Sequence, residues 1–191
     1  MISRKRIQTK ESSQIEAGSV IIAQPFWQDE KYKRSVIMIL DHDSSGSVGM
    51  IVNKQSTLCM LDALPELETG LPLFYGGPYC TGTISYLHND PDVPESISMG
   101  RDLFLNGNYD YLKEMSRHKK ISSKKIKFFA GLVYWNAGEL ESETSDNKWW
   151  ISKITGQELF TAMPEDLWSY ELLSNGHVYG LLTEFPDPLL S

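Results

Sequence analysis

The chain has 191 residues, is 41% apolar and 23% charged, holds 14 Gly and 9 Pro, and carries a net charge of −7. That length suits one globular domain with a sizeable core. The longest uninterrupted apolar run, Phe128 to Trp135, falls far short of the roughly 20 residues a membrane-spanning helix needs, which excludes that class. Two cysteines, Cys59 and Cys80, are too few for a disulfide scaffold and lack C-x-x-C spacing. The first ten residues are charged with no apolar stretch behind them, so they do not read as a secretory signal.

Charge is uneven along the chain. Lys113, Arg117, Lys119, Lys120, Lys124, Lys125 and Lys127 face only Glu114 across residues 113–127, while the segments on both sides are acidic. A nucleic-acid binder is usually basic across its whole domain, so this pattern points to a local anion-binding face or to an ordinary solvated helix end. Residues 1–16 lack aromatics and periodicity and read as a flexible tail ahead of one domain over residues 17–191.

Strand signals come first. Ser19 to Ala23, Ser35 to Leu40 and Ser47 to Val52 are rich in β-branched residues, and the turn-forming stretch Asp41 to Gly46 joins the last two as a hairpin. Apolar spacing at Leu58, Leu61 and Leu64 predicts a short helix over residues 58–67. Strands are expected at Pro72 to Tyr75 and Thr83 to Leu87, with two short ones between Ser96 and Leu105. A helix over residues 110–117 precedes the basic segment, and Lys127 to Tyr134 follows as a strand. Asn136 with Glu139 reads as a capping pair for a helix over residues 137–143. Trp149 to Ile151 is a strand, Gly156 to Met163 and Pro164 to Leu173 are helices, and Asn175-Gly176 stops the last. Strands early and helices late predict an α+β fold, and the close spacing of short strands allows a barrel-like sheet.

No motif carries recognisable chemistry. Phosphate loops and nucleophile elbows are absent, so no residue is assigned a catalytic role and no cofactor is implied. His42, His88, His118 and His177 are not paired at ligand spacing, and no metal site is assigned. His42 lies between Asp41 and Asp43, and His88 precedes Asp90 and Asp92, so two loops could share one site; the alternative is that each ring fixes its own loop. Gly76-Gly77-Pro78 either presents backbone N–H groups to an anion or makes a tight chain crossing. Trp135, Trp149, Trp150 and Trp168 suggest core, with Trp149-Trp150 as an alternative surface patch.

Taken together, these segments resemble the AlgH/YqgE family of bacterial proteins. The likeness runs through Gly18 to Pro25, Arg34-Ser35-Val36, Asp41-His42, Gly46, Gly49, Asn53, Tyr75 to Pro78, Leu87-His88, Phe129 to Trp135, Gly138 to Glu141, Glu143 and Trp149. It implies a single compact α+β domain with a mixed, partly barrel-like sheet flanked by helices, in a soluble cytoplasmic protein. Members carry a transcriptional-regulator label without an established activity, so the resemblance supports a regulatory or interaction role more than catalysis. Three positions depart from the family pattern: Asp41 for Glu, Lys54 for Arg and Glu139 for Gln. The candidate ligand surface carried over is Arg34, Ser35, His42, Asn53, Gly76, Gly77 and His88; the same groups read equally as a hydrogen-bond network holding the sheet together. An alternative contact surface, for a protein partner or nucleic acid, is Lys119, Lys120, Lys124 and Lys125; no membrane contact is expected.

Overall fold

The computed structural model describes residues 14–27 and 29–174. The strands are β1 (Val20–Ala23), β2 (Val36–Asp43), β3 (Gly46–Ile51), β4 (Gln55–Cys59), β5 (Pro72–Tyr75), β6 (Tyr79–His88), β7 (Ile97–Ser98), β8 (Phe104–Leu105), β9 (Ile126–Asn136) and β10 (Trp149–Ser152). The helices are α1 (Met60–Ala63), α2 (Tyr109–Arg117), α3 (Glu139–Ser145), α4 (Gly156–Thr161) and α5 (Pro164–Ser174), with a 3-10 turn at Pro65–Leu67. Strands run in the order β10-β1-β2-β3-β9-β6-β8-β7, and β5 joins β4 to β9. The β5–β9 pair is parallel and the others are antiparallel, so the α+β fold carries a mixed sheet.

The sheet curls around an apolar interior. Val20, Ile22, Val36, Met38, Met50, Phe74, Leu87, Leu105 and Phe129 point inward, and Leu159 and Phe160 of α4 with Leu167, Trp168 and Leu172 of α5 close the interior. Alternation along the strands sends Ile21, Ile37, Ile39, Val133, Trp135 and Trp149 to the outer face, where Leu140 of α3 covers them. At the other end, Met60, Leu73, Tyr86, Ile126 and Phe128 pack beneath Leu112 of α2. The two sheet ends approach closely, since a side-chain carbon built on Gly18 before β1 would lie 2.2 Å from the Met99 carbonyl oxygen just after β7. This near-closure without a joining ladder gives the partly barrel-like form. Among the described residues, no helix is long and apolar enough to cross a membrane.

The β2–β3 hairpin forms as expected, with a bulge between Ile39 and Asp41. The expected helix over residues 58–67 does not form as one element. Gln55–Cys59 pairs with β5, four residues make α1, and Pro65 starts the 3-10 turn. Leu58 and Leu61 are 52% and 48% exposed, so the spacing that suggested a buried helix face does not describe one. The strand expected from Thr83 begins at Tyr79, with a register shift before Ile84. The Asn136–Glu139 contact is present, but Gly138 takes the N-cap and the helix runs from Glu139. Ile15 packs into the outer-face cluster. The stop at Asn175-Gly176, His177 and most of the expected tail lie outside the described residues.

Candidate functional site

The residues singled out by the sequence occupy separate places. His42 sits in the β2–β3 hairpin, where Nδ1 shares a 2.8 Å hydrogen bond with Ser47 Oγ and Nε2 lies 3.8 Å from Glu141 Oε1 of α3. A serine, an imidazole and a carboxylate in sequence resemble a nucleophile relay, but Ser47 is 3% exposed. A nucleophile needs reach to its substrate. The trio braces the hairpin to α3.

Arg34, Ser35 and Asn53 meet at the entrance to β2. Asn53 is buried and uses both ends of its amide: Oδ1 accepts the Val36 N–H at 2.8 Å, and Nδ2 donates to the Arg34 carbonyl at 2.9 Å. Those bonds hold Arg34 in its left-handed conformation, φ 53°. Its guanidinium lies 5.2 Å from the Trp168 ring centre. Ser35 is buried, and its hydroxyl has no hydrogen-bond partner among the described residues. The Lys54 ammonium, where the family pattern has Arg, donates to the Lys31 carbonyl at 2.8 Å.

Gly76 and Gly77 carry the chain across β9. Leu73, Phe74 and Tyr75 pair with Phe128, Phe129 and Ala130 on one edge of β9, while Ile84, Ser85 and Tyr86 pair with those same three residues on the other edge. The chain therefore passes over β9 between Tyr75 and Tyr79. A side-chain carbon on Gly76 would lie 2.2 Å from the Gly131 carbonyl oxygen, and one on Gly77 2.2 Å from that of Leu132. The Gly76 N–H is spent on the Ala130 carbonyl at 2.7 Å, so it is not offered to an anion. Of the two expectations for this loop, the geometry is that of the tight crossing.

His88 lies at the far end of β9. Ser47, beside His42, is opposite Trp135, and His88 is opposite Ile126. Nine residues of strand separate those positions, about 30 Å at roughly 3.3 Å per residue. Of the two readings for these residues, a site shared by the two loops or rings that each fix their own loop, the geometry is that of the second: the long strand β9 holds His42 and His88 apart. His88 donates from Nε2 to the Asn106 carbonyl at 2.8 Å and accepts the Asp90 N–H on Nδ1 at 3.3 Å. Its ring stacks on Phe104. Burial pushes the imidazole below its ordinary pKa, against the opposing effect of its backbone bonds and Asp90. The ring is neutral with both nitrogens committed. Among the described residues, no group of three or more His, Cys, Asp or Glu side chains is arranged to hold a metal.

The tryptophans are core. Glu143 Oε2 accepts from Trp135 at 3.0 Å and Trp149 at 2.9 Å, and Trp168 donates to the Ala23 carbonyl at 2.8 Å. Trp149 faces the outer cluster and Trp150 packs against the interior one. Cys59 is half-buried, and the exposed Cys80 has its sulfur 3.5 Å from the Tyr134 hydroxyl.

The His88 end is where polar and charged groups gather at an opening. In α2, Lys113 pairs with Asp110 and Arg117 with Glu114. Lys119, Lys120, Lys124 and Lys125 occupy the turn from α2 to β9, exposed and without an ion-pair partner among the described residues. Beneath this turn lies a cleft lined by Tyr86, His88, Asp90, Lys120, Lys125 and apolar side chains of α2 and β9. The structure thus joins His88, from one predicted set, to Lys120 and Lys125, from the other.

Comparison with known proteins decides the family. The AlgH-like family profile matches residues 20–179. The chain belongs to the AlgH-like family. A Bacteroides thetaiotaomicron relative named only as a UPF0301 protein is 33% identical over 172 residues, covering 89% of this chain and 88% of that protein. A Cytophaga hutchinsonii UPF0301 protein is 30% identical over 178 residues, covering 91% and 98%. The solution structure of AlgH from Pseudomonas aeruginosa aligns with a TM-score of 0.70 at 25% identity, covering 93% of this chain and 98% of that one. A crystal structure of a Corynebacterium diphtheriae protein aligns at 0.79 with 20% identity, covering 92% and 95%, a likeness of fold.

In this AlgH-like chain the reading of the sequence missed the other cleft residues. Tyr86 shares a strand face with His88 two residues on, and Leu112 and Met115 share a helix face. Those periodicities were visible. That the two elements pack together through β9 was not, because the pairing joins segments some 40 residues apart.

Proposed function

We propose that this AlgH-like chain is a cytoplasmic interaction protein with a regulatory role, and that it engages an acidic protein surface through the turn between α2 and β9. The observation that carries this is the group of four exposed lysines without an ion pair among the described residues, on a chain of net charge −7. Clustered cations on an acidic body steer one kind of partner to one place. A nucleic acid fits less well: α2 has nine residues and carries Asp110 and Glu114 among its charges, unlike a recognition helix facing phosphates.

The test is affinity capture from a bacterial lysate, comparing the natural chain with a variant carrying Lys119→Glu, Lys120→Glu, Lys124→Glu and Lys125→Glu. The natural chain should retain an acidic protein that added salt releases and the variant fails to retain. Retention that disappears on nuclease treatment would assign nucleic acid instead and overturn the protein-partner reading. Identical capture by both chains would remove the basic turn from the function.

A further inference from the structure

The partner reading leaves one property of the basic turn unused: the cleft beneath it is almost wholly apolar. Leu112 and Ile126 line it as buried residues. Val93, Met115 and Ile121 are half-buried there, so they keep carbon surface in contact with water, and covering such surface is favourable. The cleft encloses about 30 Å³. That is room for the end of one aliphatic side chain and too little for a ring or a free small molecule. Lys120 and Lys125 line the same cleft and are exposed, so cations stand at its edge. Asp90 is the one carboxylate in the lining among the described residues, and its Oδ1 accepts the Asp92 N–H within its own loop. An acidic segment is repelled from the Asp90 wall and drawn to the lysine wall.

We propose that the acidic partner is held by one anchor: a segment of glutamates and aspartates carrying a single leucine, isoleucine or valine. The branched end of that side chain enters the cleft against Met115 and Ile121, and the flanking carboxylates pair with Lys120 and Lys125. The inference rests on the partner reading above and adds to it a choice among acidic surfaces. Charge brings any acidic segment to the turn. An apolar side chain of the right size retains one kind of segment over the rest.

The test is fluorescence anisotropy of the full chain with three labelled peptides, short runs of glutamate with leucine, serine or tryptophan at the centre. The leucine peptide should bind saturably, the serine peptide about tenfold more weakly, and the tryptophan peptide no better than the serine one. Met115→Gln, which makes one wall polar at nearly constant size, should bring the leucine and serine peptides to within about twofold of each other. Ile121→Thr should do the same and serves if Met115→Gln fails to fold. Changing Lys119, Lys120, Lys124 and Lys125 together to Gln should weaken the leucine peptide at least about tenfold, and added salt should weaken it too. Equal binding of the leucine and serine peptides, lost with the lysine variant, would overturn the anchor and leave the basic turn as the partner surface. Leucine-peptide binding that the lysine variant keeps would overturn both readings. No saturable binding of the leucine peptide, or a leucine preference that survives both Met115→Gln and Ile121→Thr, would also overturn the anchor.

Discussion

Two buried side chains show how single residues set the local balance. Asn53 satisfies the Val36 N–H and the Arg34 carbonyl at the entrance to β2. Asn53→Ala leaves both without their partner and should lower unfolding free energy by about 2–4 kcal/mol, read as a reduced urea midpoint at unchanged slope. Lys127 is the opposite case, a buried cation with no ion-pair partner among the described residues. Its ammonium donates to the Leu159 carbonyl at 2.7 Å and lies 5.0 Å from the Phe74 ring centre. Burial lowers its pKa to about 8, from 10.5 when exposed. Between those values the unfolded chain holds a proton that the folded chain has released, so Lys127 makes stability rise with pH across about pH 8 to 10.5. Lys127→Met should flatten that part of the stability curve and leave the protein at least as stable at pH 7. An unchanged slope in the variant would show that Lys127 is not its source. Of the seven basic residues the sequence placed only Lys127 in a strand; that it turns inward beside Phe129 depends on which face the sheet buries.

Among the elements, β9 organises the molecule. Its first half lies between β5 and β6, its second half meets β3, and the chain crosses it at Gly76-Gly77 against Gly131. Gly77→Ala meets the Leu132 backbone at a φ of 152° and should cost about 3 kcal/mol or more, or prevent folding. Gly82→Ala, with nothing within 4 Å, should change the unfolding midpoint by no more than about 0.5 kcal/mol equivalent. Equal effects would deny the crossing its role. Local patterns made β1, β2, β3 and the hairpin legible, because β-branched runs bounded by turn residues speak for themselves. β4 was not legible: Ser56 bonds the Leu73 carbonyl at 2.7 Å, a contact across 17 residues that outweighs the helical spacing of its leucines. The crossing was stated only as one of two readings for Gly76-Gly77-Pro78, since the strand it crosses lies more than 50 residues on.

Across the whole molecule, β9 separates two groups that the sequence had placed together. At the His42 end the ring bonds the buried Ser47 and lies near Glu141, and the His88 end opens into a cleft beneath four lysines that have no ion-pair partner among the described residues. The sequence showed the basic segment and both histidines; which histidine lies near the lysines depends on sheet order. The AlgH-like family supplies the fold and leaves the activity open, so the functional reading rests on this asymmetry. The most direct test is parallel capture from one lysate with the natural chain, with His42→Gln, and with Lys119, Lys120, Lys124 and Lys125 all changed to Glu. The same acidic protein should be recovered with the natural chain and His42→Gln and lost with the lysine variant. Loss with His42→Gln and retention with the lysine variant would place the working surface at the opposite end of β9 and contradict this account.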